Sequence, residues 1–503
     1  TNDLAKIMEG AQYKYIDLVV YKGQGKKGEA ANMFREFVAE FPKSQYAAQA
    51  LRYAMIIFEE AKELDRGIEV GEQILAQYPD SEHKAPAMLT LAGFYERTAD
   101  FQKAAAYYKR YAYEWEEKVG IRAKAGERNP SLKKPADVIK AQPDDARRAS
   151  DALYNAALWT EGLGHYDEAI ALYREYIERY STVKDGIPAH TLAFNIALIR
   201  EKEGDWAKAE AAFGEFVKNY ERSAPAGNVF FARYKQALAL QKLGRTADAN
   251  RMFELCTKEF PKVSAADKKN IDYIDAYAHS LFVMLEPKWK AYTAVKFDNV
   301  RTLRTQLQKK LKMTPELEKA YTDVLGVGSA DWGIAALTRI GMMYQDFARN
   351  FLDSPDPPGL DFEQLMMYRS ELENRAFPLE EKAIEAYETA LQKSYELNVY
   401  NEFTLAAQDA LNRFKPGEYG EIQQVKFTGS EFFSGAPAAT TVDATFGSAY
   451  GKAVQADAEK PAEAEAAAGE KTAKADENQA EETPAPAPEK KSGKLILDEA
   501  AAK

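Results

Sequence analysis

Four histidines, one cysteine and 78 acidic residues are the groups in this chain able to carry acid–base, nucleophilic or metal chemistry. His83, His165, His190 and His279 lie far apart and form no ligand spacing such as His-Glu-x-x-His. A lone cysteine, Cys256, builds neither a disulfide framework nor a zinc cluster, and its place among apolar neighbours predicts a buried, inert thiol. No phosphate-cradling loop, Gly-x-Ser-x-Gly elbow or dinucleotide fingerprint occurs. The sequence therefore predicts no catalytic residue, no metal and no cofactor, and a chain that is not an enzyme. What its residues offer is recognition. Tyr154-Asn155, Phe194-Asn195 and Tyr234-Lys235 recur every 40 residues; rings give flat apolar contact and amides can bond a peptide backbone. A second candidate is the basic run Lys288, Lys290, Lys296, Arg301, Arg304, Lys309, Lys310 and Lys312, interrupted only by Asp298. Such a patch can dock an anionic partner or membrane surface, at about 1 kcal/mol per well-placed charge.

The elements that position these residues are helices in a repeat. Gly164, Gly204 and Gly244 are 40 residues apart, followed in step by Ala169, Ala209 and Ala249, by Tyr173, Phe213 and Phe253, and by Tyr180, Tyr220 and Phe260. Toward the N-terminus the step shortens to 37: Ala30, Gly67 and Ala104, then Phe34, Gly71 and Tyr108, then Phe41, Tyr78 and Trp115. Phe41-Pro42-Lys43-Ser44 and Tyr78-Pro79-Asp80-Ser81 read as helix end, turn and helix start, because proline cannot continue a helix and serine accepts from the free N–H groups of the next one. Each unit is thus a pair of antiparallel helices, A and B, and the chain an all-α helical repeat array.

These residues resemble the tetratricopeptide repeat family. Leu153-Tyr154-Asn155-Ala156-Ala157 matches the opening of the family's helix A apart from its tryptophan, Gly164-His165-Tyr166 and Gly204-Asp205-Trp206 match the turn, and Ala169/Tyr173 with Ala209/Phe213 match helix B. Departures are the long repeats, against a usual 34, and Tyr176, Phe216 or Cys256 where the family has alanine. The likeness runs from about residue 11 to 262 and returns weakly at Ala383 and Tyr387. It implies an α-solenoid whose A helices wall a peptide groove, with Tyr154, Asn155, Phe194, Asn195, Tyr234 and Lys235 along it. Long repeats ending in Phe-Pro-x-Ser resemble the family's bacterial envelope members, and residues 330–403 are similar to tetratricopeptide proteins of myxobacterial envelopes and the gliding-motility apparatus. That implies a scaffold of a periplasmic multiprotein machine; the alternative is a cytoplasmic regulator or co-chaperone that binds a partner's tail.

Composition agrees with a binder of proteins. A net charge of −11 argues against general nucleic-acid binding, and no apolar run is long enough to span a bilayer. The start at Thr1-Asn2-Asp3 fits removal of an export signal. The reading divides the chain into N-terminal repeats over 1–117, an inserted basic loop over 118–144, central repeats over 145–262 and an irregular helical module over 263–433. A disordered Ala/Glu/Lys/Pro-rich tail follows over 434–503, where no aromatic residue comes after Tyr450. Two helices separated near Pro378 are expected in the module, and Leu495-Ile496-Leu497 is the tail's one apolar cluster.

Overall fold

The computed structural model describes residues 2–124, 126–127 and 131–419, and among these every regular element is helical. Six helix pairs come first: α1 (Asn2–Lys14, continued by wider π-type turns over Tyr15–Gly23) with α2 (Lys27–Glu40), α3 (Ala47–Glu60) with α4 (Leu64–Gln77), and α5 (Lys84–Arg97) with α6 (Phe101–Val119). After the short α7 (Pro135–Ala141) come α8 (Pro143–Gly162) with α9 (Tyr166–Tyr180), α10 (Ala189–Lys202) with α11 (Trp206–Tyr220), and α12 (Ala226–Lys242) with α13 (Thr246–Glu259). Helices α14 (Ile271–Thr293), α15 (Leu303–Leu325), α16 (Ala330–Leu352), α17 (Phe362–Leu397) and α18 (Glu402–Phe414) complete the described chain. Each helix packs chiefly on its neighbours in sequence, the pattern of a tetratricopeptide-type solenoid with an irregular C-terminal module. The predicted tail, with Leu495-Ile496-Leu497, lies outside the described residues.

Repeat positions do what their spacing predicts. Ala169, Ala209 and Ala249 are buried where A and B helices cross, and Tyr173, Phe213 and Phe253 are fully buried beside them. In the second pair the aromatic position is Gly71, where an added Cβ would stand 2.7 Å from Leu91 and from Met55; those two side chains occupy the space the ring fills elsewhere. Ser44 and Ser81 accept bonds from the N–H of Tyr46 and His83 at 3.3 and 3.2 Å; these residues precede α3 and α5, so the serines close the turns and do not cap the next helices as the sequence implied.

One regularity was hidden by residue type. Gly25, Lys62, Ala99, Gly164, Gly204 and Gly244 occupy one repeat position, the A-to-B turn, and all six have φ between 60° and 81°. Only the last three stood out as a sequence series. Left-handed backbone costs an L-residue about 1–2 kcal/mol, partly offset by the greater entropy glycine loses on folding. Ala99→Gly is therefore expected to stabilise the chain by roughly 0.5–1 kcal/mol, measured as a rise in melting temperature; a fall would mean that the strain is absorbed elsewhere.

Two expectations are corrected. The insertion is not simply a loop: α6 runs to Val119, α7 occupies Pro135–Ala141 and α8 starts at Pro143, and the two prolines are tolerated because the N–H groups of a helix's first turn have no intrahelical acceptor to lose. Helix α17 is one element through Pro378, not two. The proline costs one backbone bond and about 3 kcal/mol, offset because Leu372 and Ala376 before it and Ala383 and Tyr387 after it are all buried, with α16 packed along the helix.

The solenoid joins the module through aromatic side chains. His279 on α14 lies flat on Trp332 of α16, centroids 3.9 Å apart at 6°, and its Nδ1 meets the Tyr234 hydroxyl of α12 at 2.9 Å. Burial pushes its pKa down to about 4. The folded state thus disfavours the imidazolium: this contribution is full above the unfolded pKa near 6.5 and is lost as pH falls toward 4. Wild type minus His279→Phe should show a stability difference that declines by up to about 1.4 kcal/mol per pH unit in that window. A pH-independent difference in denaturant titrations would overturn the assignment.

Candidate protein-interaction site

A helices carry the predicted recognition row, and the helix periodicity decides which of its side chains face outward. Phe194 is fully buried, 5.8 Å from the Phe213 ring and 5.3 Å from Phe216. Tyr154 is half-buried, edge-on to Tyr176 at 6.5 Å and tilted on Tyr173 at 6.2 Å; burial raises its pKa. Tyr234 touches Phe231, Phe253 and His279. These rings fasten A helices to B helices and to the next repeat, which corrects the expectation that they line a groove. Position i on a helix and i+1 point about 100° apart, so the amides beside them face elsewhere. Asn155 and Asn195 are half-buried and their side chains bond to no described residue. Lys235, in the same place one repeat on, reaches back to Glu201 at 3.0 Å. Of the predicted row, the two asparagine amides remain open to a peptide backbone.

A carboxylate series accompanies them that sequence inspection missed. Three residues before the left-handed turn position of the second to fifth helix pairs stand Glu59, Glu96, Glu161 and Glu201, all half-buried, and Gln241 takes that place in the sixth. Where helix B carries a tyrosine, its hydroxyl donates to this carboxylate: Tyr108 to Glu96 and Tyr173 to Glu161, both at 2.9 Å. Where it carries Gly71 or Phe213, the carboxylate turns to the next repeat, Glu59 to Arg97 at 2.8 Å and Glu201 to Lys235. The signal was present as a glutamate at fixed offset, but partner choice depends on whether the helix B residue 12 positions on carries a hydroxyl.

The basic candidates divide in the same manner. Lys310 is fully buried: its ammonium donates to the Val295 carbonyl at 3.0 Å, pairs with Asp346 and lies 4.6 Å from the Tyr292 ring centroid. Desolvation lowers its pKa against the pull of Asp346, so it is a core residue and not a patch lysine. Lys296 also pairs with Asp346, at 2.8 Å. Lys288, Lys290, Arg301, Arg304, Lys309 and Lys312 are exposed and form no ion pair among the described residues. In the insertion, Arg122 is spent internally. It pairs at 2.6 Å with the fully buried Glu116 and also with Glu175, while the Tyr180 hydroxyl donates to Glu116 at 2.8 Å and Arg179 bridges both acids. This network ties the chain after α6 to α9.

His165 is exposed at a repeat turn, and Cys256 is buried with its thiol pushed up to about 12 by desolvation. Among the described residues no three His, Cys, Asp or Glu side chains cluster in a way that could hold a metal, and no helix is long and apolar enough to cross a membrane.

The tetratricopeptide repeat model matches residues 19–44, 151–182, 192–223 and 231–262, which are the end of the first helix A with its helix B, and most of the fourth, fifth and sixth helix pairs. No curated protein matches the chain. Among solved structures, that of YrrB, a TPR protein with an unusual peptide-binding site, is 13% identical and aligns with 49% of this chain and 98% of its own, at a TM-score of 0.27. A tetratricopeptide repeat protein from Parabacteroides merdae is 11% identical over 65% of this chain and 98% of its own, at 0.27. Naa15/Naa10 bound to HypK-THB is 13% identical over 82% of this chain and 59% of its own, at 0.34.

Proposed function

We propose that this chain, whose matched segments are tetratricopeptide repeats, is a non-enzymatic scaffold that assembles proteins of a bacterial envelope machine, working in the periplasm. One observation carries the scaffold reading. The strongly buried ionisable groups described above are committed to internal partners, whereas Asn155 and Asn195 present unused amides on successive A helices. Paired amides one repeat apart suit an extended peptide backbone, since each amide offers both a donor and an acceptor. The envelope part rests on the resemblance carried by the long repeats and by their Phe41-Pro42 and Tyr78-Pro79 helix ends, and gliding motility is the process that resemblance suggests testing first.

The test is localisation and partner capture in the native cell. A tagged chain should fractionate with the periplasm or envelope and bring down a constant set of envelope proteins, and Asn155→Ala/Asn195→Ala should reduce that set without lowering the melting temperature. Recovery in the cytosol would overturn the compartment, and unchanged capture by the double variant would overturn the groove. Loss of the gene with gliding unaffected would remove the process.

A further inference from the structure

A second docking site lies away from the A-helix row. Between α9 and α11, over α10, runs a groove of about 280 Å³ floored by Ile177, Ala193, Ile196, Ala212 and Phe216. It is open because of residue size. One repeat on, the places of Ala193, Ile196 and Ala212 are taken by Arg233, Gln236 and Met252; Arg233 pairs there with Glu259 and with Glu221, the latter at 2.6 Å, and Gln236 donates to Glu210 at 3.0 Å. One repeat back, Leu153 and Leu172 stand for the two alanines, and Arg179 stands for Asn219 and pairs with Glu175 at 2.8 Å. The junctions on either side are filled from within, and this one is not. Its rim carries Arg174, Glu178 and Glu215, all exposed and without an ion pair among the described residues.

We propose that this groove docks a segment of a partner protein that presents adjacent aliphatic side chains next to a lysine or arginine. The volume is below that of ordinary cofactor pockets, so side chains fit and a whole cofactor does not. The floor is aliphatic and aromatic, which selects apolar anchors. Two free carboxylates against one guanidinium make the rim negative, which selects a cation beside them. The proposal rests on the scaffold reading and gives it a second surface and a partner chemistry.

The experiment measures fluorescence anisotropy of a fluorescein-labelled peptide with a central Lys-Leu-Leu against the full chain, with Glu-Leu-Leu and Lys-Ser-Ser peptides as comparisons. Saturable binding of Lys-Leu-Leu alone is expected. Ala193→Arg/Ala212→Met, which copies in part the filled junction, and Glu178→Lys/Glu215→Lys, which reverses the rim at exposed positions, should each weaken it by about tenfold or more. Asn155→Ala/Asn195→Ala should leave it unchanged. Lack of saturable binding, equal binding of Glu-Leu-Leu or Lys-Ser-Ser, or full binding by the rim variant would overturn the site. In any of those cases, partner capture that still depends on Asn155 and Asn195 leaves the scaffold reading standing; loss of that dependence with peptide binding intact removes the A-helix groove alone.

Discussion

Phe194→Ala/Tyr234→Ala is expected to cost the chain more than 5 kcal/mol, since removal of a buried aromatic ring costs about 3–5 kcal/mol at each site. Phe194 is fully buried among Phe213, Phe216 and Phe231. Tyr234 braces Phe253 and supplies the only described bond of the His279 ring. Thermal melting and partner capture measured on one preparation separate the outcomes. A large fall in melting temperature, with capture lost only in proportion to unfolding, identifies packing rings. Normal melting with selective loss of capture would instead return these rings to the groove. Asn155→Ala/Asn195→Ala is the complement, for it should keep the melting temperature while capture falls.

The second large effect is asymmetric. Asp346→Ala is expected to destabilise by roughly 3–5 kcal/mol, because it strands the buried Lys310 ammonium with the Val295 carbonyl as its remaining acceptor. Lys310→Met removes the cation with the need for a partner, and Asp346 keeps Lys296 at 2.8 Å and the Asn350 amide. That substitution should cost under about 1.5 kcal/mol or be neutral. Denaturant unfolding of both variants decides it, and equal losses would show that the pair acts as a simple mutual attraction.

How much of this was legible depended on whether a residue's role is local. Repeat length, the small and aromatic positions of helix B and the serine turns were readable because fixed offsets bring them to one helix face. The left-handed turn at Lys62 and Ala99 was not, since there the backbone conformation is imposed by the helix pair and not by residue type. Continuity of α17 through Pro378 was missed because propensity argued for a break while burial on both sides of the proline overruled it. Lys310 was placed in a surface patch because charge alone was counted; Asp346, which sits 36 positions away, explains its burial. The expected groove joined the rings Tyr154, Phe194 and Tyr234 to the residues beside them, but neighbouring positions on a helix point about 100° apart, and the rings pack on adjacent helices. The open groove over α10 could have been found from sequence by asking where alanines replace larger side chains between adjacent repeats.

Helices that touch mainly their neighbours along the chain are springs joined in series. A pull applied between α2 and α17 is carried in full by every junction between them, so the weakest junction sets the force at which the array first gives way. Tension would be relieved there by separation of one pair while the others stay wound. An array built in this way yields in increments under load, lengthening without coming apart all at once.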